Sequence, residues 1–173
     1  MKLLSILFIF ISSVFAHPHT FIEVFPTLHV EDKKITNIHF KWVLDEMSST
    51  ILIMELDSDG DGKISKNEND FIEKEYFSMF EDYGYYTFIK VDSKLISTPK
   101  PKNFKATIEN NRICYSFDIE KEFNIQNTIF DFADTSYYVA MVLKEEFLTL
   151  DGATAKISRV DSDDYYGFRL ELK

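Results

Sequence analysis

Oxygen-bearing side chains recur at fixed spacing between Asp57 and Glu68. The segment reads Asp-Ser-Asp-Gly-Asp-Gly-Lys-Ile-Ser-Lys-Asn-Glu. This order matches the calcium loop of an EF-hand, in which positions 1, 3, 5 and 12 carry oxygen ligands and a glycine at position 6 makes the sharp turn. Ca²⁺ takes roughly six to eight oxygen ligands, so the segment is predicted to wrap around one calcium ion. The predicted calcium ligands are Asp57, Asp59, Asp61, the Lys63 backbone carbonyl, Ser65 and Glu68.

An acidic surface turn is the alternative interpretation of this segment, and the flanking sequence favours the calcium loop. Residues 47–56 have the composition of a short entering helix. Ser65, followed by Glu68 three residues later, forms a capping box that predicts the start of a second helix. Apolar residues continue this helical pattern to Phe80, so we expect a helix-loop-helix insertion over about residues 47–82.

The first sixteen residues are typical of a secretory signal peptide. Lys2 supplies positive charge, residues 3–15 are almost entirely apolar, and Ala16 ends a sequence of the kind that precedes cleavage. About 13 apolar residues are too few to cross a bilayer core, which needs roughly 20. We therefore expect cleavage after Ala16, a periplasmic protein of residues 17–173, and no membrane-spanning segment in that mature chain.

A second group of potential metal ligands lies next to the expected new N-terminus. His17 would offer its α-amine and its ring, and His19 points to the same side of an extended strand. Pro18 has no backbone N–H, which excludes a square-planar site built from deprotonated amides. Nitrogen ligands of this kind suit nickel, copper or zinc, and Glu23 could add an oxygen from the same strand face. The alternative is an exposed terminus that binds no metal.

The remaining candidate ligands have simpler explanations. His29 and His39 fall in predicted strands, where an ordinary polar or half-buried role is the expected one. Asp45 and Glu46 could contribute oxygens to the histidine site, but acidic residues at the start of a helix explain them equally well. The single cysteine, Cys114, cannot form an internal disulfide and is expected to be buried and inert.

Short strands with turn signals between them surround the helix-loop-helix. The chain carries a formal net charge of −10, which excludes nucleic acid as a natural partner and favours cations. Seventeen Phe and nine Tyr indicate an aromatic, strand-rich core. We predict one α+β domain, mainly antiparallel β, arranged as a sandwich or open barrel with an inserted EF-hand. The predicted strands are 20–30, 35–43, 85–91, 104–109, 112–119, 128–132, 137–143, 153–160 and 165–172.

These motifs together resemble a known family. The sequence His17-Pro18-His19, the stretches 21–23 and 40–46, the acidic loop and the stretch 134–140 are similar to those of the periplasmic proteins grouped as domain-of-unknown-function family 1007. Members commonly accompany nickel/cobalt-type permeases. The resemblance therefore implies transition-metal handling (nickel, cobalt or zinc) with an inner-membrane metal permease as partner. It implies no catalytic residues.

Three different functions are consistent with these sequence features. The first is a calcium-binding accessory protein that binds and hands over a transition metal for a permease. The second is a calcium-stabilised interaction module that binds no transition metal. The third is an enzyme, for example a copper oxidase, and it has the weakest support because no catalytic grouping of residues occurs in the sequence. We expect a non-enzymatic role, with Ca²⁺ and one of Ni²⁺, Co²⁺, Zn²⁺ or Cu²⁺ as the bound ions.

Overall fold

Two mostly antiparallel β-sheets packed face to face form the body of the protein, in a computed structural model that describes residues 19–173. In chain order the strands are β1 (Thr20–Glu31), β2 (Lys34–Leu44), β3 (Thr87–Val91), β4 (Lys94–Ile96), β5 (Lys102–Glu109), β6 (Arg112–Ile119), β7 (Phe123–Asn124), β8 (Thr128–Ala133), β9 (Val139–Val142), β10 (Thr149–Asp151), β11 (Ala155–Asp161) and β12 (Tyr166–Leu172). The predicted α+β class is confirmed, and of the two predicted arrangements, sandwich or open barrel, the structure has the sandwich.

The first sheet contains the long hairpin of β1 and β2. Its strand order is β10-β1-β2-β6-β5, with β7 paired to β2 and β9 paired to β1. The second sheet has the order β11-β12-β8-β3-β4. Two of the pairings, β1 with β9 and β1 with β10, are parallel, which the sequence did not predict. Both are only three or four residue pairs long, so the sheet remains mostly antiparallel.

Alternating burial explains why β1 and β2 form a hairpin at this register. Along β1 every second residue from Ile22 to Val30 is buried, and the residues between them face outward. The turn places Asp32 and Lys33 at positive φ angles of 48° and 63°, as a tight hairpin turn requires. Because side chains alternate between the two faces of a strand, this register puts one apolar row against the second sheet and leaves a polar row outside.

Aromatic side chains fill the space between the sheets. The ring of Phe40 on β2 meets the ring of Phe132 on β8 edge to face, with ring centroids 5.6 Å apart. Phe123 and Phe130 make a similar contact across the sheets. Trp42 is fully buried and its ring packs edge to face on Phe117, at 4.9 Å between centroids. Edge-to-face packing of this kind is favourable for aromatic pairs. The two Phe–Phe contacts therefore help to hold the sheets together, while the Trp42–Phe117 contact joins β2 and β6 within the first sheet.

The segment between β2 and β3 is helical. Helix α1 covers Glu46–Leu56, helix α2 covers Lys66–Glu75, and a 3-10 helix covers Phe77–Tyr86. The predicted second helix therefore ends earlier than expected, and a 3-10 helix carries the apolar residues that follow. A 3-10 helix has three residues per turn, so Phe77 and Phe80 lie on the same face. Both rings pack against Trp42, at centroid distances of 6.0 and 5.9 Å.

Both α-helices are attached to the first sheet by side-chain hydrogen bonds, which are buried at α1 and partly buried at α2. In α1, the hydroxyl of Ser49 donates to the Leu44 carbonyl and accepts the N–H of Ile113 on β6. In α2, the side-chain oxygen Oδ1 of Asn69 accepts the N–H of Ala106 on β5 at 2.7 Å. The helix-loop-helix thus rests on its own β-domain. Within residues 19–173, none of the helices has the length and apolar character needed to cross a membrane.

Candidate functional site

Three aspartates converge in the loop between α1 and α2. One carboxylate oxygen from each of Asp57, Asp59 and Asp61 lies within 4.8 Å of the others. Asp57 is nearly buried, whereas the other two face solvent. Like charges at this separation repel each other, and a cation bound between them would relieve that repulsion. The donor set is therefore suited to a hard cation that prefers carboxylate oxygens.

Hydrogen bonds from the backbone keep the loop wrapped around Asp57. Its Oδ1 accepts the N–H of Asp61 at 3.1 Å, and its Oδ2 accepts the N–H of Gly62 at 2.9 Å. Gly60 and Gly62 have φ angles of 69° and 78°, in the region that glycine enters without strain. The turn predicted at Gly62 is therefore present, and Asp57 organises the loop as well as belonging to its carboxylate cluster.

Glu68 lies outside this carboxylate cluster. Its Oε1 accepts the backbone N–H of Ser58 at 2.7 Å and the Ser58 hydroxyl at 2.6 Å, while its Oε2 accepts the N–H of Ser65. The Ser65 hydroxyl in turn caps α2 by accepting the N–H of Glu68, so the predicted capping box is present. The side chains of Ser65 and Glu68 are thus engaged in fixing the helix start and in closing the loop back onto Ser58.

The hydrogen bonds at Glu68 make stability depend on pH. The Ser58 hydroxyl bond, followed by the bonds at Ser65, lowers the pKa of Glu68 from 4.5 to about 2. A carboxyl whose pKa is lower in the folded state stabilises the fold above its unfolded pKa and loses that contribution as pH falls. In calcium-free buffer we expect this contribution to disappear between about pH 4.5 and 2. Urea unfolding of the wild type and of Glu68→Gln across this range checks it, and parallel pH profiles of the two proteins would contradict it.

The other predicted calcium ligand, the Lys63 carbonyl, belongs to the turn after the cluster. The N–H of Lys63 donates to Asp61 Oδ1 at 2.8 Å, which fixes the peptide next to the cluster. Of the six predicted ligands, the structure brings together the three aspartates. Ser65 and Glu68 are held at the far end of the loop by their mutual capping bonds.

The proposed histidine site is only partly covered by the structure. His17 lies outside the described residues. His19 is exposed and its ring stacks on Tyr138, with ring centroids 5.7 Å apart. Glu23 lies four residues further along the strand, which corresponds to about 13 Å in an extended chain. Its carboxylate forms an ion pair with Arg112 at 2.8 Å, so the structure does not bring Glu23 to His19.

Asp45 is fully explained as a helix-start residue. Its Oδ1 accepts the N–H of Ser48, and its Oδ2 accepts the N–H of Phe21 on β1 at 2.8 Å. These backbone bonds outweigh the opposing effect of burial and hold the pKa of Asp45 below its usual value. The residue therefore caps α1 and joins it to β1.

A buried charge network on the second sheet was missed by the sequence analysis. Asp131 on β8 is 0% exposed and accepts two hydrogen bonds from Arg169, one from Lys90 and one from the Tyr165 hydroxyl. Burial alone would raise the pKa of Asp131, but these bonds hold it below its usual value. The one available signal was a charged residue in the middle of an apolar strand, Thr-Ile-Phe-Asp-Phe-Ala.

Comparisons with known proteins place the chain in a family. The model of a family described as "Protein of unknown function (DUF1007)" matches residues 2–161. An uncharacterised protein from Haemophilus influenzae is 30% identical over 158 residues, which cover 82% of this chain and 70% of that protein. An uncharacterised 15.5 kDa protein in the trpE 3′ region of Spirochaeta aurantia is 30% identical over 66 residues, or 38% of this chain and 47% of that protein. Since the family match covers most of the chain, the protein belongs to DUF1007, a family of unknown function.

Proposed function

We propose that this protein binds one calcium ion in the loop Asp57–Glu68 and uses it to stabilise the helix-loop-helix on the β-sandwich. The observation that carries the proposal is the convergence of the Asp57, Asp59 and Asp61 carboxylates within 4.8 Å. The short helices on either side and the glycine turn agree with an EF-hand. The Lys63 carbonyl, Ser65 and Glu68 would complete the oxygen set once the Glu68 carboxylate exchanges its Ser58 bonds for the ion.

A structural role suits this calcium better than a signalling role. EF-hand sites of extracellular modules bind with dissociation constants of about 10⁻⁴ to 10⁻³ M, which keeps them largely occupied where calcium is millimolar. Ser49 and Asn69 attach the two helices to β6 and β5. Fixing the loop between these helices therefore stabilises contacts that already join the insertion to the sheet.

Calcium titration by isothermal calorimetry tests the proposal directly. We expect one Ca²⁺ per chain and binding at least about tenfold weaker for Mg²⁺, because Mg²⁺ gives up its water shell reluctantly. Asp163→Ala, in an exposed acidic turn, is the matched control and should bind calcium like the wild type. Absence of heat and of any mass shift in native mass spectrometry at millimolar calcium would refute the calcium site.

We further propose that the protein is exported, cleaved after Ala16, and serves as an accessory to a transition-metal permease. The support for this part is the family resemblance together with an N-terminal sequence in which His17 and His19 would follow the cleavage site. Native mass spectrometry of protein purified from the periplasm, with nickel, zinc, cobalt and copper offered in turn, tests it. Loss of one bound ion in His17→Ala supports the role, and unchanged metal binding in that variant would contradict it.

An apolar stripe on α1 favours a second candidate function, that of a calcium-stabilised interaction module. Met47, Ile51 and Met54 recur at helical spacing and are 66%, 63% and 83% exposed. Exposed apolar stripes of this kind commonly mark contact surfaces. Cross-linking in periplasmic extract with a photoreactive residue at position 54 would capture a partner that the same protein loses when it also carries Ile51→Lys, whether or not the chain binds a transition metal.

A further inference from the structure

We propose that His29 and His39 form a transition-metal site on the outer face of the first sheet. The site is distinct from the loop Asp57–Glu68 and from the N-terminal histidines. It offers two imidazole nitrogens to an ion of the Zn²⁺, Ni²⁺ or Cu²⁺ class, with the remaining positions left to water or to a ligand from a partner. Imidazole is a preferred ligand of these ions, so the chemistry follows from the two side chains themselves.

The register of the β1–β2 hairpin brings the two histidines together. Thr27 pairs with His39, and His29 pairs with Asn37. Directly paired residues face the same side of a sheet, as do residues two apart on one strand, so both histidines lie on the outer face. They are diagonal neighbours across the strands, which corresponds to a separation of about 7–8 Å. Two rings at that distance can turn toward one ion, with metal–nitrogen bonds of about 2.0–2.1 Å.

A carboxylate already orients each ring. His29 Nδ1 lies 3.2 Å from Asp151 on β10, and His39 Nδ1 lies 2.7 Å from Asp118 on β6. When Nδ1 of a histidine faces a carboxylate, Nε2 is the nitrogen that remains for the metal, and the carboxylate makes the ring a stronger ligand. The neighbouring strands β10, β1, β2 and β6 therefore carry, in this order, a carboxylate, an imidazole, an imidazole and a carboxylate.

The neighbouring lysines Lys41 and Lys102 repel a bound cation only weakly, because each forms an ion pair with an acidic residue. Lys41, two residues from His39 on the same face, pairs with Glu109 at 2.6 Å. Lys102, in register with Asp118, pairs with Glu120 at 2.5 Å. The local charge is therefore set by the two carboxylates behind the imidazoles. Both histidine side chains are substantially exposed, 52% for His29 and 40% for His39, so an ion can reach them from solvent.

The test uses full-length protein in which His17 and His19 are replaced by alanine, with calcium present throughout. Zn²⁺ binding is measured by calorimetry, and pulsed electron paramagnetic resonance counts the imidazoles bound to Cu²⁺. We expect one ion held by two imidazoles. His29→Ala and His39→Ala should each weaken zinc binding roughly tenfold or more, and Asp118→Asn should weaken it by about tenfold through the orientation of His39.

A control variant on the same face of the sheet distinguishes loss of a metal ligand from a change in nearby charge. Lys41→Ala alters a neighbouring charge without touching an imidazole and should leave two imidazoles on Cu²⁺. Absence of zinc binding in the starting protein, binding that survives both histidine replacements, or dependence on only one of them would overturn the paired site. Far-ultraviolet circular dichroism of each variant checks that the sheet remains folded.

Discussion

Asp57→Ala is expected to abolish calcium binding and with it the thermal stabilisation that calcium provides. With a dissociation constant of about 10⁻⁴ to 10⁻³ M, 10 mM calcium should stabilise the wild type by about 1.4–2.7 kcal/mol. For a domain of this size, that corresponds to a rise in melting temperature of about 3–10 °C. Differential scanning calorimetry with calcium and with chelator measures the difference. Asp57→Ala should melt at the same temperature in both buffers.

Asp57 is chosen because its carboxylate belongs to the cluster and also accepts the N–H groups of Asp61 and Gly62. Asp57→Asn is the milder change, since its amide oxygen keeps one of these two backbone hydrogen bonds while its NH₂ group cannot accept the other. We expect Asn to lower the calcium-free stability by about 0.5–1.5 kcal/mol and to lose most of the calcium effect. A full calcium response in either variant would contradict the assignment of Asp57 as a ligand.

Asp131→Ala is expected to destabilise the fold more than removal of calcium does. The change leaves the partly buried cations of Lys90 and Arg169 without the carboxylate that both of them pair with. Removing one member of a buried charge network costs about 3–5 kcal/mol, and we expect the lower end because both cationic side chains retain about a quarter of their exposure. Urea unfolding monitored by tryptophan fluorescence measures the loss.

A second replacement distinguishes the charge network from a simple packing defect. Combining Asp131→Ala with Arg169→Met removes one of the two unpaired cations and should recover part of the lost stability. Asp163→Ala, a change at an exposed acidic residue, should alter stability by less than about 0.5 kcal/mol. A loss below about 1 kcal/mol in Asp131→Ala would show that the network contributes little to the fold.

Local sequence signals predicted much of the architecture. The strand β6 is found at the predicted residues 112–119, and no strand end of the β1–β2 hairpin differs from its prediction by more than one residue. Alternating apolar residues and turn residues specify such elements over short distances. The end of α2 was predicted less well. Its aromatic continuation looks helical by composition, but packing of Phe77 and Phe80 on Trp42 draws the chain into a 3-10 helix.

For the candidate sites, the acidic loop follows from the order of residues alone, because all of its carboxylates lie within twelve consecutive residues. Which distant residues meet depends on the tertiary fold. It paired Glu23 with Arg112, surrounded Asp131 with Lys90 and Arg169, and set His29 and His39 diagonally across a hairpin between two carboxylates. These contacts depend on strand register and sheet order, which arise from packing between segments far apart in the chain. No local pattern encodes that packing.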